Sequence, residues 1–215
     1  MVPTRAIRVS GQLVDPATEI EYLRLAIQID PSVMMIGEAR WDRPCPAFGP
    51  CVPSVFERRH DLVRRYAWAI PTDEALNEIA ARSPIVEMGA GTGYWASLLA
   101  ARGADVIAYD RDPGCNTWIE PGVLHFDVRP GTWLSVKQHA DRTLFLCWPP
   151  MNPMANNTLR CYRGACLVYI GEGEGGCTAD DPFFRRLGRD WHMVASIDIP
   201  QWWGVHDRLG IYERK

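Results

Sequence analysis

The sequence predicts an α/β domain, a doubly wound and mostly parallel sheet that ends in an antiparallel strand pair. Three observations carry this. From Pro84 onward, short apolar runs alternate with segments of helical period. A glycine-rich turn stands between the first of these runs and the first of these helices. Near the C-terminus, two strand-like runs follow each other with no helix between them, which implies an antiparallel pairing.

Upstream of Pro84 the signals are weaker. Ala17–Gln28 reads as a helix, with Leu23, Leu25, Ala26 and Ile27 as its apolar positions and Pro16 suited to its first turn. The run 42–53 holds four prolines and reads as irregular chain, either a lid or a surface linker. Residues 54–66 read as a basic helix. Thr72 suits the cap of another, with Asp73 and Glu74 in the first turn and Leu76, Ile79 and Ala80 as its stripe. Ile85–Met88 is then the first strand, and 94–102 the helix after it. The later strands are expected at 105–109, 123–126, 143–147, 165–170, 192–199 and 208–214, with helices near 154–162 and 179–187. The division this implies is an N-terminal extension over 1–83 and a principal domain over 84–215.

Composition narrows the function classes. The chain has 215 residues, 47% of them hydrophobic and 23% charged, with a formal net charge of -3. That balance suits one globular domain with a substantial core. It lacks the basic excess of most nucleic-acid binders, although Arg58, Arg59, Arg64 and Arg65 form a dense basic stretch. That stretch is either a solvated helix face or a substrate contact. Seven cysteines contain no Cys-x-x-Cys pair and no zinc spacing, so neither a metal site nor a disulfide framework is expected. Cys147 and Cys166 read as buried small hydrophobes. No signal peptide or membrane-spanning run is evident, and a reducing cytoplasm is the expected setting.

The informative segment is Glu87-Met88-Gly89-Ala90-Gly91-Thr92-Gly93, followed one strand later by Asp110. Glycines at a strand-to-helix turn let the backbone bend tightly and let a ligand approach. A carboxylate at the next strand end can accept from ribose hydroxyls. A dinucleotide fingerprint fits poorly, because its third glycine position falls on Tyr94. No Gly-Lys-Ser/Thr follows, which excludes a P-loop.

Val86–Asp110 resembles the first motif and ribose-binding acid of the class I S-adenosylmethionine-dependent methyltransferases, a Rossmann-like family. The resemblance implies a seven-stranded sheet with an antiparallel last strand. It implies that Gly89, Ala90, Gly91 and Gly93 line the cofactor, that Glu87 supports its amino-acid end and that Asp110 binds its ribose. Asp127 matches the acid that faces the adenine, and Arg111 flanks it. Tyr66 and Trp68 either cover the cofactor or pack an N-terminal helix on the sheet. Trp148-Pro149-Pro150-Met151 is similar to the Asn/Asp-Pro-Pro-aromatic motif of amino-group methyltransferases, but Trp148 replaces the side-chain acceptor and Met151 the aromatic, which leaves backbone carbonyls as the acceptors that could still serve.

Methyl transfer from a sulfonium needs alignment and a dry site more than a base. The polar groups expected near the chemistry are Glu172, Glu174 and His206, with Trp148 shaping the substrate or filling core. The substrate site is expected between Trp148-Pro149-Pro150 and the Trp202-Trp203-Gly204 turn. Those two tryptophans pack alternatively on a helix or on a second subunit, so a homodimer stays open. The expected reaction is methyl transfer to a small-molecule or peptide-like substrate, with nucleic acid disfavoured and no membrane partner. A cofactor-binding scaffold, a nicotinamide oxidoreductase and a nucleic-acid methyltransferase are the alternatives.

Overall fold

The computed structural model describes residues 20–36 and 54–215, together with the backbone of a two-stranded hairpin at Arg8–Val9 and Gln12–Leu13. The expected irregular run 42–53, Pro16 and the start of the first helix lie outside the described residues.

Seven strands form one sheet: β1 (Ile85–Met88), β2 (Val106–Asp110), β3 (Val128–Pro130), β4 (Thr143–Cys147), β5 (Cys166–Gly171), β6 (Trp191–Ile197) and β7 (Arg208–Arg214). Their spatial order is β3-β2-β1-β4-β5-β7-β6. β1 to β5 pair in parallel, and β7 runs antiparallel to both β5 and β6. This is a Rossmann-like α/β sheet with an antiparallel last strand. The order reverses between β1 and β4, so their carboxyl ends open a crevice, the position at which such sheets bind ligands.

Helices cover both faces. They are α1 (Glu21–Ile29), α2 (Val55–Arg65), α3 (Asp73–Ala80), α4 (Tyr94–Ala101), α5 (Met154–Cys161) and α6 (Asp181–Asp190). Local chemistry sets their starts. Ser54 and Glu57 form a reciprocal capping box on α2, while Thr72 caps α3 and Asp180 caps α6. Strand alternation divides the core. Ile85, Phe145, Val168, Ile170 and Ile211 pack with residues of α1, α3 and α4. Val86, Met88, Leu144, Leu146, Leu167 and Tyr169 pack with α5 and α6 on the other face.

The third strand differs from expectation. Residues 123–126 are not a strand, because the chain there bonds to the glycine turn: the His125 amide donates to the Thr92 carbonyl at 2.8 Å. Pairing with β2 begins only at Val128, opposite Ala108. The connection 111–127 contains no helix, and a 3-10 helix at Trp133–Gln138 follows β3 instead. Cys147 and Cys166 are half-buried, whereas Cys161 is buried.

Candidate active site

The glycine turn leaves β1 at the crevice. Gly89, Gly91 and Gly93 all take left-handed backbone, with φ of 77, 56 and 72°. Two amides close the turn on the neighbouring strand, Gly89 and Ala90 both donating to the Tyr109 carbonyl at 2.7 and 3.0 Å. The three glycines face different surroundings. A Cβ on Gly93 would stand 2.7 Å from Val128 Cγ2 and 2.8 Å from Phe126 Cβ, so this glycine is required by packing. A Cβ on Gly91 would meet only Ile119 Cγ2, at 3.7 Å.

Asp110 ends β2 beside this turn. Its Oδ2 accepts from the Gly91 amide at 2.9 Å and its Oδ1 from the Asp112 amide at 3.0 Å. Each oxygen keeps a lone pair for a further donor. Glu87 lies inside β1, 2% exposed, and its Oε2 has no hydrogen-bond partner among the described residues. Burial first, and then repulsion from Asp110, push its carboxyl up to about 8, partly opposed by the Ala96 amide of α4.

The other expected cofactor residues are placed as follows. Asp127 is exposed and precedes β3, so it is not at a strand's carboxyl end. The Arg111 side chain is exposed and pairs with Asp112 at 2.6 Å. It lines a cavity of about 460 Å³ with Arg64, Cys115, Asn116 and the exposed Trp118. Tyr66 is enclosed, its ring between Tyr22 at 5.1 Å and His125 at 5.6 Å, and it touches the glycine turn by its carbonyl, which accepts from Thr92 Oγ1. Trp68 stacks on Trp148, ring centroids 4.8 Å apart and planes 14° from parallel.

Continuing the β1–β4 register puts Cys147 level with Gly89, so Trp148 stands at the crevice. Its amide donates to the Ile170 carbonyl at 2.7 Å, and its Nε1 donates to Asp207 Oδ2 at 2.7 Å. The Pro149 carbonyl accepts from the Ala179 amide at 2.9 Å. One of its lone pairs is therefore occupied.

Glu172 and His206 do come together, but not as a free acid and base. Glu172 is buried, and both its oxygens accept backbone amides: Oε1 from His206 at 2.9 Å and Oε2 from Cys177 at 2.7 Å. It braces the glycine-rich loop against the turn before β7. The half-exposed His206 ring has Nδ1 3.6 Å from the same Glu172 Oε1, while Glu174 is exposed. Trp202 is core, with its Nε1 donating to Tyr22 Oη at 3.1 Å, so the expected substrate site cannot include its ring. Trp203 packs edge-on against Phe56, and its carbonyl accepts from Arg59. The basic stretch is therefore split: Arg59 and Arg64 turn inward, while Arg58 and Arg65 stay exposed.

Two residues escaped the sequence reading. Ile119, 4% exposed, sits over Gly91. Arg64 of the basic stretch holds that segment by donating to the Ile119 carbonyl, while the Glu120 amide donates to the Arg64 carbonyl. Asp207 is the second. A single acid in a turn has no periodicity to mark it, and only its burial beside Trp148 singles it out. Among the described residues no group of His, Cys, Asp and Glu could hold a metal ion, and no helix is long and apolar enough to cross a membrane.

No protein-family profile matches the chain. A ribosomal RNA small subunit methyltransferase A of Myxococcus xanthus is 39% identical over 64 residues, covering 26% of this chain and 23% of that protein. Among solved structures, the magnesium protoporphyrin IX methyltransferase of Synechocystis with bound SAM is 12% identical, with a TM-score of 0.49 over 92% of this chain and 99% of that one. A TehB-like SAM-dependent methyltransferase of Corynebacterium glutamicum is 17% identical, with a TM-score of 0.44 over 66% of this chain and 87% of that one.

Proposed function

We propose that this chain is an S-adenosylmethionine-dependent methyltransferase acting on a small-molecule or peptide-like substrate. The observation that carries the reading is the Gly89–Gly93 turn with Asp110 bound to its central amide, at the crevice where the strand order reverses. The residues fit the cofactor. Asp110 has an acceptor position left on each oxygen for the ribose hydroxyls. Glu87 offers a buried, unpartnered oxygen for the amino-acid end. Gly91 keeps side-chain bulk away from the turn. When bound, the cofactor supplies an electrophilic methyl group on its sulfonium. The chain's part is to bind, align and exclude water.

Calorimetry with S-adenosylhomocysteine tests this. Micromolar binding is expected, with no comparable affinity for NAD. Binding of NAD alone overturns the reading in favour of an oxidoreductase.

A nucleic-acid acceptor is the second reading. It is favoured by the 64-residue likeness to an rRNA methyltransferase and by the cavity that Arg64, Arg111 and Trp118 line. It requires RNA affinity that falls steeply with salt, and its absence at low salt removes it.

A further inference from the structure

We propose that Trp148 is a stacking wall for a planar, aromatic methyl acceptor, and that Asp207 is the positioning residue that fixes it. This rests on the methyltransferase reading above and adds a substrate class to it.

Two costs meet at one hydrogen bond. Trp148 has φ 49°, a conformation rare for a bulky residue and kept only where the surroundings enforce it. Asp207 is 1% exposed, and no ion-pair partner for it is found among the described residues. Burial pushes its carboxyl up to about 7 and leaves Oδ1 without a hydrogen-bond partner, and an apolar residue would fill the same space more cheaply. The bond from Trp148 Nε1 to Asp207 Oδ2 joins the two unfavourable features. Asp207 is itself tied down, its carbonyl accepting from Gln201 Nε2 at 2.7 Å.

The effect is to lock the indole. Its amide is held by Ile170, one ring face lies on Trp68, and its edge is held by Asp207. Trp68 is backed in turn by the Arg59 guanidinium, 5.8 Å from its ring centroid. The Trp148 ring remains half-buried, at the end of β4 and level with the glycine turn. A fixed aromatic surface at that point favours a flat, π-rich acceptor over an aliphatic one, because offset stacking adds to simple area burial. No side-chain acceptor precedes the Pro149-Pro150 pair, so the wall selects by shape and not by a hydrogen bond to an amine.

The test uses the full chain, 15N-labelled at its indoles, with Trp148 Nε1–H identified by its loss in Trp148→Phe. The probe is 2-naphthol, titrated with and without saturating S-adenosylhomocysteine, with cyclohexanol as the aliphatic control. Expected are a shift of the Trp148 resonance by 2-naphthol and none by cyclohexanol. Asp207→Asn, which keeps an acceptor for the indole, should bind 2-naphthol within about threefold of wild type. Asp207→Leu and Trp148→Phe should each weaken it at least about tenfold, with S-adenosylhomocysteine affinity held within about threefold. Wild-type naphthol affinity in a folded Asp207→Leu or Trp148→Phe chain, or an unmoved Trp148 resonance, overturns the proposal. Failure of wild type to bind S-adenosylhomocysteine overturns the methyltransferase reading instead, and the arm without it still reads the wall.

Discussion

Replacing Gly91 and Gly93 by alanine, one at a time, separates the glycine that faces the ligand from the one that packing requires. Both have left-handed backbone, φ 56 and 72°, so each alanine meets the same conformational cost of about 1–2 kcal/mol. At Gly91 nothing more is added, since the new methyl stands at ordinary contact distance, 3.7 Å from Ile119. At Gly93 it meets Val128 Cγ2 at 2.7 Å and Phe126 Cβ at 2.8 Å. Phe126 Cβ is fixed to the backbone and cannot swing aside, so overpacking adds about 1–3 kcal/mol. For a chain of this size, each kcal/mol moves the melting temperature by about 2–4 °C. Thermal melts should therefore show losses of about 5 °C for Gly91→Ala and about 10 °C for Gly93→Ala. Calorimetry with S-adenosylhomocysteine should rank them the other way. Gly91→Ala loses at least about tenfold in affinity, because its methyl takes up the space between the turn and Ile119. The folded fraction of Gly93→Ala loses less. Equal melting losses would refute the packing argument, and wild-type affinity in Gly91→Ala would refute the assigned turn.

Other expectations follow from the same crevice. Asp110→Ala removes a charged acceptor and should cost about 1.5–3 kcal/mol of S-adenosylhomocysteine affinity by calorimetry, with Asp110→Asn costing less; unchanged binding in both shows that Asp110 is not the ribose ligand. Burial raises the Glu87 carboxyl to about 8, so its contribution to stability is fully present below the ordinary carboxylate range and is lost as pH rises toward 8. Glu87→Gln should therefore gain melting temperature relative to wild type between pH 5 and about pH 9, and a pH-independent difference would sink the argument. Ile119→Ala uncovers Gly91 and should speed S-adenosylhomocysteine association several-fold in stopped flow while lowering the melting temperature; an unchanged rate means that the segment is no barrier.

The sequence carried the sheet because its strands are buried runs with sharp ends. Ile85–Met88, Thr143–Cys147 and Arg208–Arg214 lie where apolar runs and turn residues put them. Capping chemistry carried the helix start at Thr72, whereas the capping box at Ser54 shows only in the fold. The third strand failed because Val123 to Phe126 has the composition of a strand but is captured by Thr92 of the glycine turn, a contact 30 or more residues away in sequence. In sequence, Glu172 is a charge just after the fifth strand and is expected near the chemistry. The same charge serves to hold two backbone amides, and only the folded chain distinguishes a brace from a reagent. Asp207 and Ile119 are site features of tertiary origin, with no local spacing that marks either.

The N-terminal helices are part of the site's physics and not a cover laid over it. Tyr22 of α1 is fully buried and donates to the Ala67 carbonyl at 2.8 Å, just before Trp68, while its hydroxyl accepts from Trp202. α1 is thus linked to both the segment that carries Trp68 and the turn that leads to Asp207. Arg59 of α2 reaches the Trp203 carbonyl and the Trp68 ring, and Arg64 of the same helix holds the segment over Gly91. Two helices therefore hold the Trp68–Trp148 stack and the segment over the glycine turn. Ile85, Phe145, Val168 and Ile211 bury their face of the sheet against residues from this region. A chain beginning at Pro84 would retain the glycine turn and Asp110, but it would expose that apolar face and lose Trp68, Arg59 and Arg64 together. The glycine turn and Asp110 are legible in a short stretch of sequence, whereas the surroundings of Trp148 and the cover over Gly91 come from the helices before it.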